Sequence, residues 1–142
     1  MYASRDDRAY AAGLLDGEGY IGIYKKDRKW HQLQISVGMY AGETIQWLAD
    51  RWGGWAYPDP YTKMIPTWRI TNDNAGAFLQ SVLPFLQVKY EQAEIALAFL
   101  RDRIKSPGHT PSLEQLALRE GYYLALKAAK RKRADWPEEA KR

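Results

Sequence analysis

Asp16 and Glu18 flank Gly17, and Gly19 follows at once. Carboxylates at this spacing are hard oxygen donors, the type Mg²⁺ takes, usually one or two per ion beside waters and phosphate oxygens. They close a helical stretch, where the macrodipole already places roughly half a negative charge, so two acids there are unfavourable. A bound cation removes that conflict. A second set of chemistry-bearing residues is spread along an alternating stretch downstream. Tyr24, Lys26, Gln32, Gln34 and Ser36 fall on one face of a predicted hairpin, with no acid among them. A Gln amide offers a donor and an acceptor together, as adenine readout in a major groove requires, and Lys or Arg reads guanine or holds phosphate. An ordinary solvated sheet face accounts for polar residues too, but usually mixes both charge signs.

The acids need a helix ahead of them. Ser4 can cap one, and Asp7 three residues later completes a capping box. Tyr10 with Leu14 and Ala11 with Leu15 share one broad apolar side. Ala9, Gly13 and Gly17 form a strip almost without side chains. A mid-helix Gly costs about 1 kcal/mol relative to Ala, so the strip makes sense where a second backbone comes very close.

The rest of the chain supplies sheet and cover. Gly19 to Lys26 alternates with Ile21 and Ile23 inward. Asp27-Arg28-Lys29 reads as a turn, and Trp30 to Met39 alternates again with Leu33, Ile35, Val37 and Met39 inward. This is the pattern of a hairpin with one buried face. Gly42 to Trp52 reads as a short helix ended by Gly53-Gly54. Two more strands, Trp55 to Tyr57 and Ile65 to Thr71, flank a proline-containing segment, 58–63, that reads as an edge or open loop. Trp68 and Ile70 face inward, which leaves Thr67 and Arg69 on the outer face. Asn72 or Asp73 caps a helix to about Val82. Pro84 interrupts, Phe85 to Lys89 leads into a longer helix to about Ile104 with Ala93, Ala96, Leu97 and Leu100 buried, and Ser106-Pro107-Gly108 breaks the chain. A last helix spans about Ser112 to Arg133 and ends in Lys130-Arg131-Lys132-Arg133, for which a solvated helix end is the plainer reading beside phosphate contact.

The 142 residues suit one domain, and 46% hydrophobic content excludes a disordered chain. Cysteine is absent, which removes disulfides and thiolate metal sites and fits a reducing compartment. The net charge of +4 is compatible with nucleic acid. No signal-peptide-like or membrane-spanning run occurs, so no membrane association is expected and the expected location is intracellular, cytoplasmic or nucleoid-associated, with an organelle-encoded origin also open.

The stretch Ala11-Ala12-Gly13-Leu14-Leu15-Asp16-Gly17-Glu18-Gly19 resembles the motif of the LAGLIDADG homing endonucleases. Ala12, Gly13, Leu14, Asp16 and Gly19 match, Leu15 stands for Ile and Gly17 for Ala. Ala11 replaces the first Leu and Glu18 the second Asp. The element order is also similar: α+β, αββαββα with an antiparallel four-stranded DNA-binding sheet over about residues 5–105, and a C-terminal helical extension over about 110–133. One copy of the motif implies the single-motif type, a homodimer joined through Ala9, Gly13, Asp16 and Gly17. Leu83-Pro84-Phe85-Leu86-Gln87-Val88-Lys89 is similar to a stretch that places a lysine beside the active site in related enzymes, so Lys89 takes that position.

The resemblance implies a metal-dependent endonuclease of double-stranded DNA, acting on a pseudo-palindromic site and leaving 3′ overhangs, encoded with a mobile intron or intein. Glu18 and Lys89 are then catalytic, and Glu18 with the Gly17 carbonyl holds metal. Mg²⁺ is the implied cofactor, with Mn²⁺ substituting and Ca²⁺ supporting binding without cleavage. Tyr24, Lys26, Arg28, Lys29, Gln32, Gln34, Ser36, Lys63, Thr67 and Arg69 are the implied DNA contacts. The family often has a polar residue just after the second strand to hold water; Ala41 stands there, and Glu43, Thr44 or Gln46 are the stand-ins. His31 and His109 are too few and too separated for a His-Asn-His nuclease, and neither zinc-ligand spacing nor a glycine-rich phosphate loop occurs. The alternative is a non-cleaving DNA- or RNA-binding protein of the same fold, a maturase or regulator.

Overall fold

The computed structural model describes residues 3–26, 30–57, 65–103 and 111–132. The turn read at 27–29, the proline-containing segment 58–63 and the break at 106–108 lie outside them, as do Arg28, Lys29, Lys63 and His109.

Ser4 caps α1 (Arg5–Glu18) through the expected reciprocal box, its hydroxyl accepting from the Asp7 N–H at 3.1 Å and its own N–H donating to the Asp7 carboxylate at 3.2 Å. The helix ends where β1 (Gly19–Lys26) begins. Gly19 is obligatory at that joint, because a Cβ there would lie 2.7 Å from the Leu15 carbonyl oxygen. β1 pairs with β2 (Trp30–Gly38) in register from Gly19↔Val37 to Lys26↔Trp30. After α2 (Gly42–Trp52), Gly53 and Gly54 turn the chain with φ of 83° and 85°, a region open to glycine at no steric cost. At Gly54 a Cβ would also lie 2.3 Å from the Arg69 carbonyl oxygen.

β3 (Trp55–Tyr57) and β4 (Thr67–Thr71) complete an antiparallel sheet of order β1-β2-β4-β3. β4 starts two residues later than the sequence pattern predicts, because Pro66 has no N–H to give to a ladder; its carbonyl instead accepts from the Met39 N–H at 3.1 Å. α3 (Asn72–Val82), a 3-10 turn (Leu83–Phe85), α4 (Tyr90–Asp102) and α5 (Leu113–Lys132) follow. This is the α+β order expected from the sequence.

One core lies between the sheet and the helices. Ile21, Leu33, Ile35, Val37, Trp68 and Ile70 from the sheet meet Ala12, Leu15, Leu48, Phe78, Leu79, Ala93, Ala96 and Phe99 from the helices. Trp68 is sealed on both sides, with its ring 4.9 Å from Phe78 and its indole N–H donating to the Gly53 carbonyl at 2.8 Å. Removing such a side chain costs about 3–5 kcal/mol. α5 packs on α4 and β1, and Leu126 joins the same core.

Three details differ from the sequence pattern. Tyr10 is 55% exposed and stands edge-on to Trp47 instead of entering the core. Leu97 and Leu100 are half-buried, and Phe99 holds the fully buried place on α4. Neither Asn72 nor Asp73 caps α3: the cap residue is Thr71, without a side-chain bond. The Asn72 side chain instead accepts from the Leu33 N–H at 3.1 Å, and its own φ of 48° is one that Asn tolerates. No helix among the described residues is long and apolar enough to cross a membrane.

Candidate active site

The α1–β1 joint carries the acids, and the segment before α4 comes to meet it. The two Asp16 carboxylate oxygens accept from the Gln87 N–H at 2.8 Å and the Lys89 N–H at 2.9 Å. The Lys89 ammonium returns a bond to the Asp16 carbonyl at 2.7 Å, where α1 leaves carbonyls without intrahelical partners. Both oxygens of Asp16 are therefore engaged within the chain. It acts as the joint between α1 and the segment before α4, each oxygen already accepting one hydrogen bond. Burial pulls the Lys89 pKa below its ordinary value and Lys130 adds to this, while Asp16 and Glu18 oppose it. Lys89 thus lies in the electrostatic field of both acids and of a residue from α5.

Glu18 is exposed at the last position of α1, and no partner engages its carboxylate among the described residues. That free carboxylate, at the negative end of a helix and beside the Gly17 carbonyl, fits a hard divalent cation. Among the described residues no three acid, His or Cys side chains converge there.

Gly13 and Gly17 are exposed on α1, and a Cβ at either would meet nothing within 4 Å. Ala9 lies one turn before Gly13 and is exposed as well. Nothing among the described residues requires these glycines. Ala41 caps α2 without a side-chain bond. No hydrogen bond joins the expected stand-ins to Glu18 among the described residues. Gln46 donates to Asp50 on its own helix at 2.9 Å, while Glu43 and Thr44 line a groove with Asp6, Asp7 and Tyr10, near the opposite end of α1. Asp7 and Glu18 are separated by roughly 16 Å of helix.

The outer face of the sheet starts at this joint and runs away from it. Register places its residues in rows: Gly38–Thr67–Tyr57, then Tyr20–Ser36–Arg69–Trp55, then Gly22–Gln34–Thr71, then Tyr24–Gln32, then Lys26–Trp30. Gln32, Gln34, Ser36, Tyr24, Thr67 and Arg69 are thus brought to one surface, as expected; for Lys26 only the backbone position is described. No acid occupies any row. Arg69 lies over the Tyr57 ring at 5.5 Å, and its Nε is buried without an acceptor. Burial, with Tyr20 beside it, raises the Tyr24 pKa above its ordinary value against the pull of Arg69, so the phenol keeps its proton as a donor.

Two contributions escape the sequence reading. Trp30, Trp55 and Tyr57 are 53%, 54% and 43% exposed, so they form part of this surface instead of the core. The alternation that exposes Arg69 also exposes its row partners, but pairing of β3 with β4 is needed to see it. Lys130 is not a solvated helix end: its ammonium sits 3.6 Å from the Tyr20 ring centre. Lys127 and Lys25 both lie over the Tyr123 ring, and with Tyr24 and Leu126 they line a cavity of about 290 Å³ between α5 and β1. Buried Leu126 and Ala129 anchor that end of α5 and so fix where Lys130 falls.

No protein-family model and no curated protein matches the chain. Solved structures do. The homing endonuclease I-CvuI, in complex with its target in the presence of Ca, superposes with a TM-score of 0.69 at 15% identity, covering 89% of this chain and 81% of that one. The archaeal intron-encoded homing endonuclease I-Vdi141I, complexed with DNA, gives 0.71 at 15% identity over 86% and 82%. The meganuclease I-SmaMI, bound to uncleavable DNA, gives 0.63 at 16% identity, covering 89% of this chain but 46% of that longer one. The fold is therefore that of the homing endonucleases.

Proposed function

We propose that this chain is a LAGLIDADG homing endonuclease of the single-motif type, a homodimer that cuts both strands of a pseudo-palindromic DNA site and leaves 3′ overhangs. The observation that carries the reading is the α1–β1 joint. One helix delivers a free Glu18 carboxylate to the near end of an acid-free, four-stranded outer face, and Lys89 is locked beside it. The motif Ala11 to Gly19 supports the family assignment, as does the shared fold. The exposed Ala9, Gly13 and Gly17 strip supports a two-copy assembly.

In this reading two α1 helices pack through their glycines and bring two Glu18 carboxylates to the two-fold axis. Two like charges at two helix C-termini repel, which the negative backbone of DNA alone would worsen. Glu18 and the Gly17 carbonyl hold Mg²⁺, or Mn²⁺ in its place, with Ca²⁺ allowing binding without cleavage. Such a bound ion supplies an activated water and Lewis-acid stabilisation of the leaving oxygen. Asp16 holds Lys89 in place through the two backbone N–H bonds. The Lys89 ammonium, next to Glu18, stabilises negative charge at the cut phosphate. The outer face enters the major groove, which admits a β-ribbon. At about 3.4 Å per residue the eight residues of β1 span roughly 27 Å, close to eight base pairs per half-site.

Ala41, which puts an apolar side chain at the position just after β2 where the family often has a polar one, favours the non-cleaving alternative. One paired experiment separates the two. Glu18→Gln keeps the size of the side chain and removes its charge. Binding of a selected target in Ca²⁺ should survive, and linearisation of a target plasmid in Mg²⁺ should nearly vanish. A variant that cuts at the wild-type rate rules out Glu18 as the metal ligand. A wild type that binds tightly and never cuts in Mg²⁺ or Mn²⁺ establishes the non-cleaving reading.

A further inference from the structure

The rows of the outer face do not carry equal chemistry. Moving away from Glu18, the Thr67–Tyr57 row comes first, then the Arg69 row, then Gln34 opposite Thr71, then Gln32 opposite Tyr24, and last the row that contains Trp30. Two residues of a strand rise about 6.8 Å, which is two base-pair steps, so successive rows face successive pairs of steps. Arg69 is the one described cation of the middle rows; its guanidinium lies over the Tyr57 ring at 5.5 Å, and its buried Nε has no acceptor. An arginine fork matches guanine O6 and N7.

The next two rows have a different character. Each sets a Gln amide directly across from a group with an apolar surface: the Thr71 methyl for Gln34, and the Tyr24 ring for Gln32. Gln matches adenine N6 and N7, and apolar groups in a major groove meet the thymine methyl, the group that adenine's partner presents there. The amide and its cross-strand neighbour thus ask for the same base pair from its two sides. Tyr20 and Tyr24 lean over Gly22, where a Cβ would lie 2.6 Å from Tyr20 and 3.1 Å from Tyr24. This glycine lets the Tyr24 ring lie against the sheet while remaining 43% exposed. Beyond it Trp30, more than half exposed, continues the apolar character to the outer end.

We infer that the sheet reads a graded half-site, with G·C opposite Arg69 near the dyad and A·T opposite the Gln34–Thr71 and Gln32–Tyr24 rows, where thymine methyl groups are part of what is recognised. This rests on the duplex-DNA reading above. It adds which bases are chosen and says that a methyl group carries some of the choice.

The test places the change on the DNA, so folding of the protein is not at issue. Duplexes selected from a randomised library by gel shift in Ca²⁺ should show G·C on the dyad side of A·T pairs in each half-site. Deoxyuridine in place of thymidine at the Gln32–Tyr24 position removes the methyl and nothing else. Wild-type affinity should fall about fourfold, the factor that goes with burying one methyl-sized group. The Tyr24→Ala protein should bind the thymidine and deoxyuridine duplexes equally. Equal binding of both duplexes by the wild type, an unchanged preference in Tyr24→Ala, or a selected site with the reverse order of pairs each overturns the inference while leaving duplex binding intact. A library from which no duplex is selected overturns the DNA reading itself and the inference with it.

Discussion

Gly13→Ala is the most informative single change, because its effect has opposite signs inside one chain and between two. Gly13 lies in the middle of α1, exposed, and a Cβ there meets nothing within 4 Å. Within one chain the added methyl is therefore free of clashes and removes the helix penalty of glycine, about 1 kcal/mol. For a chain of this length that raises the melting temperature by about 3 °C. Between two chains packed through the strip, the same methyl intrudes where two backbones meet. Overpacking costs about 1–3 kcal/mol, and symmetry applies it to both copies. At the lower bound of about 2 kcal/mol for the pair, dimerisation weakens roughly 30-fold. Sedimentation velocity across a concentration series measures the association, and thermal melts of the dilute protein measure the chain. The expected result is a dilute protein that melts higher and a dimer that dissociates at higher concentration. A Gly13→Ala protein that dimerises as the wild type does refutes close approach of the two helices. A dilute variant that melts lower refutes the account of α1 as open on this face. A wild type that sediments as a monomer at micromolar concentration refutes a preformed dimer.

Three further outcomes follow from the same geometry. Lys89→Met should lower the single-turnover cleavage rate by about 100-fold or more while changing DNA affinity little, since charge stabilisation is needed most in the transition state; equal losses in rate and affinity would make it a binding residue. Asp16→Ala should cost about 2 kcal/mol in urea denaturation, because two backbone N–H groups lose a charged acceptor, and Asp16→Asn should lose less; a neutral Asp16→Ala would show that the joint between α1 and the segment before α4 is made elsewhere. His31 is buried with neither ring nitrogen hydrogen-bonded among the described residues, its Nε2 standing 3.8 Å from the Glu120 carboxylate. Burial lowers its pKa below the ordinary 6.5, Arg119 and Lys25 push the same way, and Glu120 opposes them. The unfolded chain therefore takes up a proton that the folded ring resists, so stability should fall as pH drops from 6.5 toward the lower folded value. His31→Phe should flatten the dependence of the urea midpoint on pH over that window, and an unchanged slope would assign it to other groups.

Local pattern determined much of this protein. The Ser4–Asp7 box, the alternation of Ile21 and Ile23 against Leu33, Ile35 and Val37, and the Gly53-Gly54 turn all depend on near neighbours, so they are legible without a fold. The order of helices and strands follows from them, and the Asp16-Gly17-Glu18-Gly19 run is visible as an electrostatic conflict. What the acids do is not visible there. Asp16 and Glu18 are chemically alike and two residues apart, yet one accepts from the backbone of Gln87 and Lys89 while the other has no hydrogen-bond partner among the described residues. That division depends on a segment some seventy residues later, and no local pattern encodes it.

The same holds for the surface. Periodicity assigns Arg69 and Gln34 to outward faces, but only the β1-β2-β4-β3 pairing sets Arg69 beside Ser36 and Trp55, and Gln34 beside Thr71. Tyr10 reads as core by spacing and is left exposed, because burial of a helix side is decided by what packs on it. Lys130 reads as a solvated end by composition. Tertiary packing of Leu126 and Ala129 decides otherwise, since it carries the ammonium onto Tyr20 and into the field of Lys89. Sequence settles what each element is, through forces that act within a turn or a strand. The fold settles which elements meet, through burial and hydrogen bonds between residues far apart in the chain, and the candidate site exists only where they meet.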